Sequence, residues 1–438
     1  MVVACPSLET GYVSCPIQGP TQLPVLHIKP DHLPVISDAS LTVHAGEKQN
    51  WIPKCSIGTP IINSTARWFE NSEEVIAFKE GRKPSFEYAR YGNLTTKVLE
   101  EKISALERAE STLFVSSGMG AIVAVLLSLV PPGGHIVATK DCYWEARMFI
   151  QNKLSQMGVS STFVDMNDMN LLKEALQKHK VSLFYADSPS NPLLNCLDIK
   201  KVSEPCHSHG ALVCIDSTLA SPINQKPVTL GADLVLHSAT KYISGHHDVV
   251  GGCVSGSENL ISKIHSYHFD LGSPLVPNAA YMIIRGMKTM HLRVEAQNNT
   301  ALNIAQLLEK HPMVRHVYYP GLPSHPQHDI ATSQMSGFGG VVSFEVAGDL
   351  HATMKFVDSL KLPYIATSFG GCESLVQQPA VMSFWDYSAA ERAKIGIKDN
   401  LVRFSFGVEK FEDLAADILQ ALQNMILCSH TPKLPSCG

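Results

Sequence analysis

The sequence predicts an α/β protein: a mostly parallel sheet with helices on both faces, followed by a smaller C-terminal α+β domain. Three observations carry that expectation. From about Thr95, short apolar runs alternate with amphipathic stretches. The runs are apolar nearly throughout, as strands covered on both faces are. Around Asn278 the pattern changes to one long helical stretch with two more strands behind it. The chain has 438 residues, 45% hydrophobic and 17% charged, which is room for two or three domains with a large core.

In order, residues 1 to about 40 are rich in Pro, Ser and Thr without periodicity and read as a mobile arm that does not join the core. A helix at TKVLEEKISALERA leads to a short strand TLFV, then a helix after SSGMG. Its apolar stretch, Ala121 to Val130, is too short to cross a bilayer and stops at Pro131 and Pro132, so it reads as a buried helix. Strands follow at HIVATK, SSTFVD and VSLFYAD, a helix at IKKVSEPCHSHG, and strands at ALVCID and ADLVLHS. The long helical stretch spans NAAYMIIRGMKTMHLRVEAQNNTALNIAQLLEKH; VRHVYYP and GGVVSFEVAG read as strands and LAADILQALQNMI as a terminal helix. The last residues, HTPKLPSCG, read as a frayed tail.

A net charge of −5 with dispersed lysine and arginine gives no basic stripe, so nucleic acid is not an expected partner; small molecules are. No membrane partner is expected either. Lys29 is the only basic residue among the first thirty, and no arginine precedes Arg67, so the chain as given reads as cytoplasmic, with a plastid possible for a longer precursor. Eleven scattered cysteines without a CxxC pair read as free thiols, and the nineteen histidines lack ligand spacing, so no metal site is expected.

Chemistry concentrates where strands end. In an open α/β sheet, ligands sit beyond the carboxyl ends of the strands. Lys241, in HSATKYISGHHD, follows an apolar strand and is flanked by Ser238 and Thr240, which suit a phosphate. Its amine is suited to condense with an aldehyde cofactor, pyridoxal phosphate, and then to act as a base when a substrate amine displaces it. Asp216 ends ALVCID, where a carboxylate can pair with a pyridine nitrogen or simply cap a turn. Ser116, Ser117, Gly118 and Met119 lie between a strand and a helix start, whose amides suit a phosphate or form a plain cap. Asp187 to Pro192 place Asn191 after another strand, Tyr143 is placed to stack on a planar ring or to pack, and Arg403 sits among alternating apolar neighbours as a carboxylate fork or an edge-strand arginine. Each feature alone is weak; together they point to pyridoxal phosphate.

From about Val43 to Ile426 the chain resembles the cystathionine γ-synthase branch of the pyridoxal-phosphate enzymes of cysteine and methionine metabolism, most of all the plant synthases. The resemblance rests on LTVHAGE, FEYARYGN, SSGMGAI, DCYWEAR, SPSNPLL, VCIDST, HSATKYISGHHD, PNAAYMIIRGMKT, SFGGCES and NLVRFSFGVE. It implies a fold-type I transferase, a homotetramer built as a dimer of dimers, and active sites shared between chains. Residues 1–94 would be an N-terminal arm reaching the neighbouring subunit's site, 95–287 the cofactor-binding α/β domain, and 288–438 the C-terminal α+β domain. Tyr88 and Arg90 would reach the neighbour's cofactor phosphate, while Gly118, Met119, Ser238 and Thr240 bind it from their own chain. Tyr143 would stack on the ring, Asp216 pair with its nitrogen and Lys241 bond it covalently; Asn191, Ser368 and Arg403 would hold the substrate amino acid, with Glu373 at the entrance.

The reaction implied is γ-replacement: loss of the α-proton, the β-proton and the γ-leaving group gives a vinylglycine-type electrophile for a thiol, so that O-phosphohomoserine and cysteine give cystathionine. The chain departs from the family pattern near the site. Trp144 and Glu145 stand where plant synthases carry basic residues, and Ala89, Leu94, Asp187, Ser217, Leu219 and Thr367 replace other usual residues. Two alternatives follow: a diverged paralogue coupling the same intermediate to an amine or carbon nucleophile, and a cystathionine or methionine lyase.

Overall fold

The apolar runs of the first half become strands of one seven-stranded sheet. In a computed structural model that describes residues 37–47, 56–166 and 168–429, these are β1 (Ser111–Val115), β2 (His135–Thr139), β3 (Ser160–Val164), β4 (Val181–Asp187), β5 (Leu212–Asp216), β6 (Leu234–Ser238) and β7 (Gly252–Gly256). Their spatial order is β1-β7-β6-β5-β4-β2-β3. Neighbours from β3 to β6 pair in parallel, and β7 runs against both β6 and β1. β7 was absent from the expected strands. Its sequence GCVSG has glycine at both ends and little apolar signal, yet Gly252 is required: a Cβ there would lie 2.2 Å from the Ser117 carbonyl oxygen.

Helices cover both faces, as the apolar runs required. The helix Gly118–Leu129 buries Ala121, Ile122, Ala124, Val125 and Leu126 against Leu113, Leu234 and Val254 of the sheet. Its start is fixed by Ser117, whose Oγ accepts from the Gly120 amide at 2.9 Å. On the other face, Val202 and Cys206 of the helix Ile199–Ser208 pack with Phe184, Val213 and Ile215. Among the described residues, no helix is long and apolar enough to cross a membrane.

The long helical stretch is two helices, Pro277–Met287 and Met290–Glu309, not one. The break has a local cause. Arg293 donates to the Gly286 carbonyl at 2.8 Å and to the Tyr242 carbonyl at 3.0 Å, which occupies an acceptor that a continuous helix would use. Beyond it stand β8 (Val314–Tyr318), β9 (Val341–Val346), β10 (Tyr364–Ile365), β11 (Leu375–Gln377) and β12 (Leu401–Ser405), in a second sheet of order β10-β11-β12-β9-β8. The terminal helix is Phe411–Ser429.

The expected arm, residues 1 to about 40, lies outside the described residues except for its end, and that end does join the core. The helix Asp38–His44 buries Leu41 and Thr42. Behind it, the fully buried Lys102 donates to the Val43 carbonyl at 2.9 Å and pairs with Glu47 at 3.0 Å. The expected tail from residue 430 also lies outside the described residues.

Candidate active site

Lys241 sits on a tight turn directly after β6. Its amide donates to the Ser238 carbonyl at 3.2 Å, its carbonyl accepts from Gly245 at 2.8 Å, and the buried Tyr242 beside it accepts from the Gly340 amide at 2.9 Å. The backbone is therefore held from both domains. The Lys241 amine donates to Ser368 Oγ at 2.6 Å and lies 4.9 Å from the centre of the Phe369 ring. Burial pushes this amine down to about 8, and the nearby Arg403 cation works in the same direction. Among the described residues, no carboxylate pairs with it.

Arg403 enters from β12, where the residues beside it, Gln377 of β11 and Ser343 of β9, are themselves buried. It donates to Asn191 Oδ1 at 3.1 Å and to the Ser368 carbonyl at 2.6 Å, and its Nε is buried without a partner. Burial lowers its proton affinity to about 10, so it remains a cation at neutral pH. An orphaned, desolvated donor of this kind is a strong site for a carboxylate. Ser368 holds a left-handed φ of 81°, unusual for a residue with a side chain, which turns its hydroxyl toward Lys241 and its carbonyl toward Arg403.

At the ends of β4 and β5, Asp187 and Asp216 lie side by side in register. Thr218 caps Asp216 Oδ1 through its amide at 3.0 Å and through its hydroxyl. Asp187 Oδ2 accepts the Tyr143 amide at 2.8 Å. Burial and mutual repulsion push Asp187 well above the ordinary carboxylate range, and burial raises Asp216 as well. Tyr143 is 40% exposed beside this pair. The Gly118 helix start faces Ser238: a Cβ on Gly118 would lie 2.8 Å from Ser238 Cβ, so the backbone comes close only because no side chain intervenes. Thr240 Oγ1 exchanges hydrogen bonds with Gly251, at 3.1 Å from its amide and 3.2 Å to its carbonyl.

A family model described as Cys/Met metabolism PLP-dependent enzyme matches residues 39–423. The chain belongs to that family. It is 62% identical over 390 residues to cystathionine gamma-synthase 1, chloroplastic, of Nicotiana tabacum, covering 89% of this chain and 72% of that one. The counterpart of that name from Arabidopsis thaliana is 61% identical over 388 residues, covering 88% of this chain and 69% of that one. Among solved structures, a cystathionine gamma synthase from Xanthomonas oryzae pv. oryzae in complex with aminoacrylate and cysteine superposes with a TM-score of 0.84. It is 36% identical and covers 90% of this chain and all of that one (100%).

As an enzyme of the Cys/Met metabolism family, the chain uses pyridoxal phosphate, and its residues fit that cofactor. A half-buried amine with no carboxylate partner among the described residues, a capped carboxylate, an exposed aromatic ring and a glycine-lined helix start converge at the strand ends. The structure brings together Lys241, Ser368, Asn191 and Arg403 by direct contact. Tyr143 and Asp216 meet through Asp187, and Ser238 meets Asp216 through Thr218. Met119, one residue into the helix, packs its side chain against the core instead. Tyr88 and Arg90 lie elsewhere: Arg90 donates to the Phe269 carbonyl at 3.2 Å and covers the rings of Tyr88, Tyr91 and Phe269. Glu373 is half exposed and 3.9 Å from His247.

Sequence reasoning missed Thr218, Phe369 and His247. Thr218 carried a signal, since an Asp-x-Thr at a strand end is the pattern of a side-chain-capped turn. Phe369 carried none, because an aromatic between Ser and Gly in a loop looks like packing until two cations are found over its ring.

Proposed function

We propose that this enzyme catalyses γ-replacement on an activated homoserine, O-phosphohomoserine or a close relative, with cysteine as the thiol, and so makes cystathionine for methionine biosynthesis. The observation that carries the reading is the Lys241 cluster: a half-buried amine at about 8, joined through Ser368 to an arginine with an orphaned donor. The identities of 59–62% to proteins named cystathionine gamma-synthase support it over the lyases, which share 39–44%.

The residue roles follow from the contacts. Arg403 Nε, left unpaired in a dry site, takes the substrate carboxylate, and Asn191 holds the guanidinium in place. Pyridoxal phosphate, when bound through Lys241, supplies an electron sink that acidifies the substrate's Cα and Cβ hydrogens. Lys241, freed by the substrate amine, takes the α-proton; a base near pH 8 is well matched to that task. Ser368 aims the Lys241 amine. Asp216, with Oδ1 held by Thr218, would offer Oδ2 to the ring nitrogen, Tyr143 would offer its face to the ring, and the backbone amides of Gly118 and Met119 with the hydroxyls of Ser238 and Thr240 would hold the phosphate. Tyr88 and Arg90 act in a neighbouring subunit's site, so that residues 1–94 are an arm contributing to that site, 95–287 the cofactor domain and 288–438 the C-terminal domain of a homotetramer. Relatives named chloroplastic support a plastid as the compartment.

Two measurements test this. Purified protein given O-phosphohomoserine and cysteine is expected to yield cystathionine by mass spectrometry; oxoacid and ammonia in its place would overturn the synthase reading. Mixing Arg90→Ala and Lys241→Ala chains by co-expression is expected to restore up to about a quarter of the activity if sites are shared between subunits. No recovery would overturn the arm's contribution to the neighbouring site.

A further inference from the structure

A second titratable pair stands beside the Lys241 cluster. The loop from Ser368 to Glu373 runs along the Lys241–His247 turn in step. Ser368 meets the Lys241 amine at 2.6 Å, Gly370 lies so close to Tyr242 that a Cβ would be 2.9 Å from its amide nitrogen, and Gly371 lies under the His247 ring. A Cβ on Gly371 would fall 2.0 Å from His247 Nε2. At the end of this ladder, Glu373 Oε2 stands 3.9 Å from His247 Nε2. The loop is fixed from behind: Gln297 donates to the Gly371 carbonyl at 2.7 Å, and Ser405 Oγ accepts from Gly370 at 3.0 Å. The imidazole is therefore held over a glycine platform a few residues from the reacting lysine.

His247 also holds a left-handed φ of 55°. A histidine in that conformation is uncommon, and such outliers cluster at working sites. Its side chain is 25% exposed and that of Glu373 is 52% exposed, so the pair is open to solvent. The charged and titratable groups around it are Lys241, His246 and Asp248 on its own turn, Cys372, Glu373 and Glu409 across from it, and Arg293 beneath Gly245. Arg293 is occupied by two carbonyls, and Glu409 by Ser374. Glu373 remains as the carboxylate facing the ring.

We infer that His247, with Glu373 at its Nε2, is the base that takes the proton of the incoming thiol. The inference rests on the γ-replacement reading. The S–H bond breaks and its proton passes to the imidazole. The sulfur's electron pair forms the C–S bond at Cγ of a substrate that has already lost its γ-leaving group. The two protons taken earlier from Cα and Cβ are returned to those carbons, Lys241 supplying the one at Cα; the γ-leaving group has departed with the electron pair of its broken C–O bond, and His247 gives the thiol's proton to solvent, so atoms and charges balance. Glu373 stands at the Nε2 edge of that ring, 3.9 Å away. It is a positioning residue.

The test is the partition of O-phosphohomoserine between cystathionine and oxoacid in the holoenzyme. His247→Asn keeps a residue that tolerates the left-handed backbone while removing the base. It is expected to lower the ratio of cystathionine to oxoacid at least ~10-fold at neutral pH, with a loss in kcat/KM for cysteine of about 100-fold. The deficit shrinks as pH rises and for thiols acidic enough to arrive ionised, a response a merely structural role would not give. Glu373→Gln moves the same ratio less. An unchanged partition in His247→Asn, with the same dependence on thiol acidity, would overturn the inference. Failure of the wild type to make cystathionine is a separate outcome and would sink the underlying reading instead.

Discussion

Lys102, fully buried, and Lys241, half-buried, make an instructive pair. Lys102 and Lys241 are each brought down to about 8 by burial, yet one ties the chain together and the other does chemistry. Lys102 is surrounded by acceptors: the Thr42 and Val43 carbonyls and the Glu47 carboxylate, which Thr59 and Lys288 also hold. Lys241 has one hydroxyl, one ring and a neighbouring cation. Proton affinity alone does not separate the two roles. What separates them is whether the partners would have to be broken before the amine could act.

The comparison can be broken at either lysine. The largest effect is expected at Lys241→Ala, which should fold and bind pyridoxal phosphate but lose at least ~1,000-fold in kcat, together with the absorbance signature of the lysine-bound cofactor. Lys102→Ala should do the reverse: unfolding free energy measured in urea falls by about 3–5 kcal/mol, because Glu47 and two carbonyls lose their buried partner, while turnover per folded molecule persists.

Smaller effects sharpen it. In cofactor-free protein, Lys241 carries a folded-state affinity of about 8 against an ordinary 10.5, so the unfolded chain holds more protons between those values. Burial therefore costs stability fully below pH 8, and stability rises with pH through that window. Lys241→Met should be more stable than wild type at pH 7, by about 3 kcal/mol at most, with the gap closing toward pH 10.5 in paired thermal melts. Ser368→Ala should have the mildest effect, a roughly 10-fold loss in kcat with little change in KM, since it removes aim rather than a binding contact.

The strands and helices of the large sheet were legible because burial on both faces leaves unbroken apolar runs such as LVCI and LVLH. β7 was not, since its role is a close backbone approach and glycine leaves no pattern. The break before Met290 was hidden because it comes from a long-range guanidinium contact by Arg293, not from a local proline or cap. Lys241, Asp216 and Arg403 were readable as residue types at strand positions. Their dependence on Ser368 and Phe369 was not, because those contacts join segments up to 127 residues apart; Thr218, two residues from Asp216, was a local signal passed over.

The near-contact of Gly252 with the Ser117 carbonyl and of Gly118 with Ser238 bears on how this enzyme can change. There the wall of the site is main chain against main chain, with almost no side-chain surface to alter. Near Tyr143 and Lys241, by contrast, Glu145, His247 and Glu373 present side chains to solvent, and Trp144 does so in part. New substrates are therefore to be sought by editing the rim, while the grip on the cofactor is passed on intact.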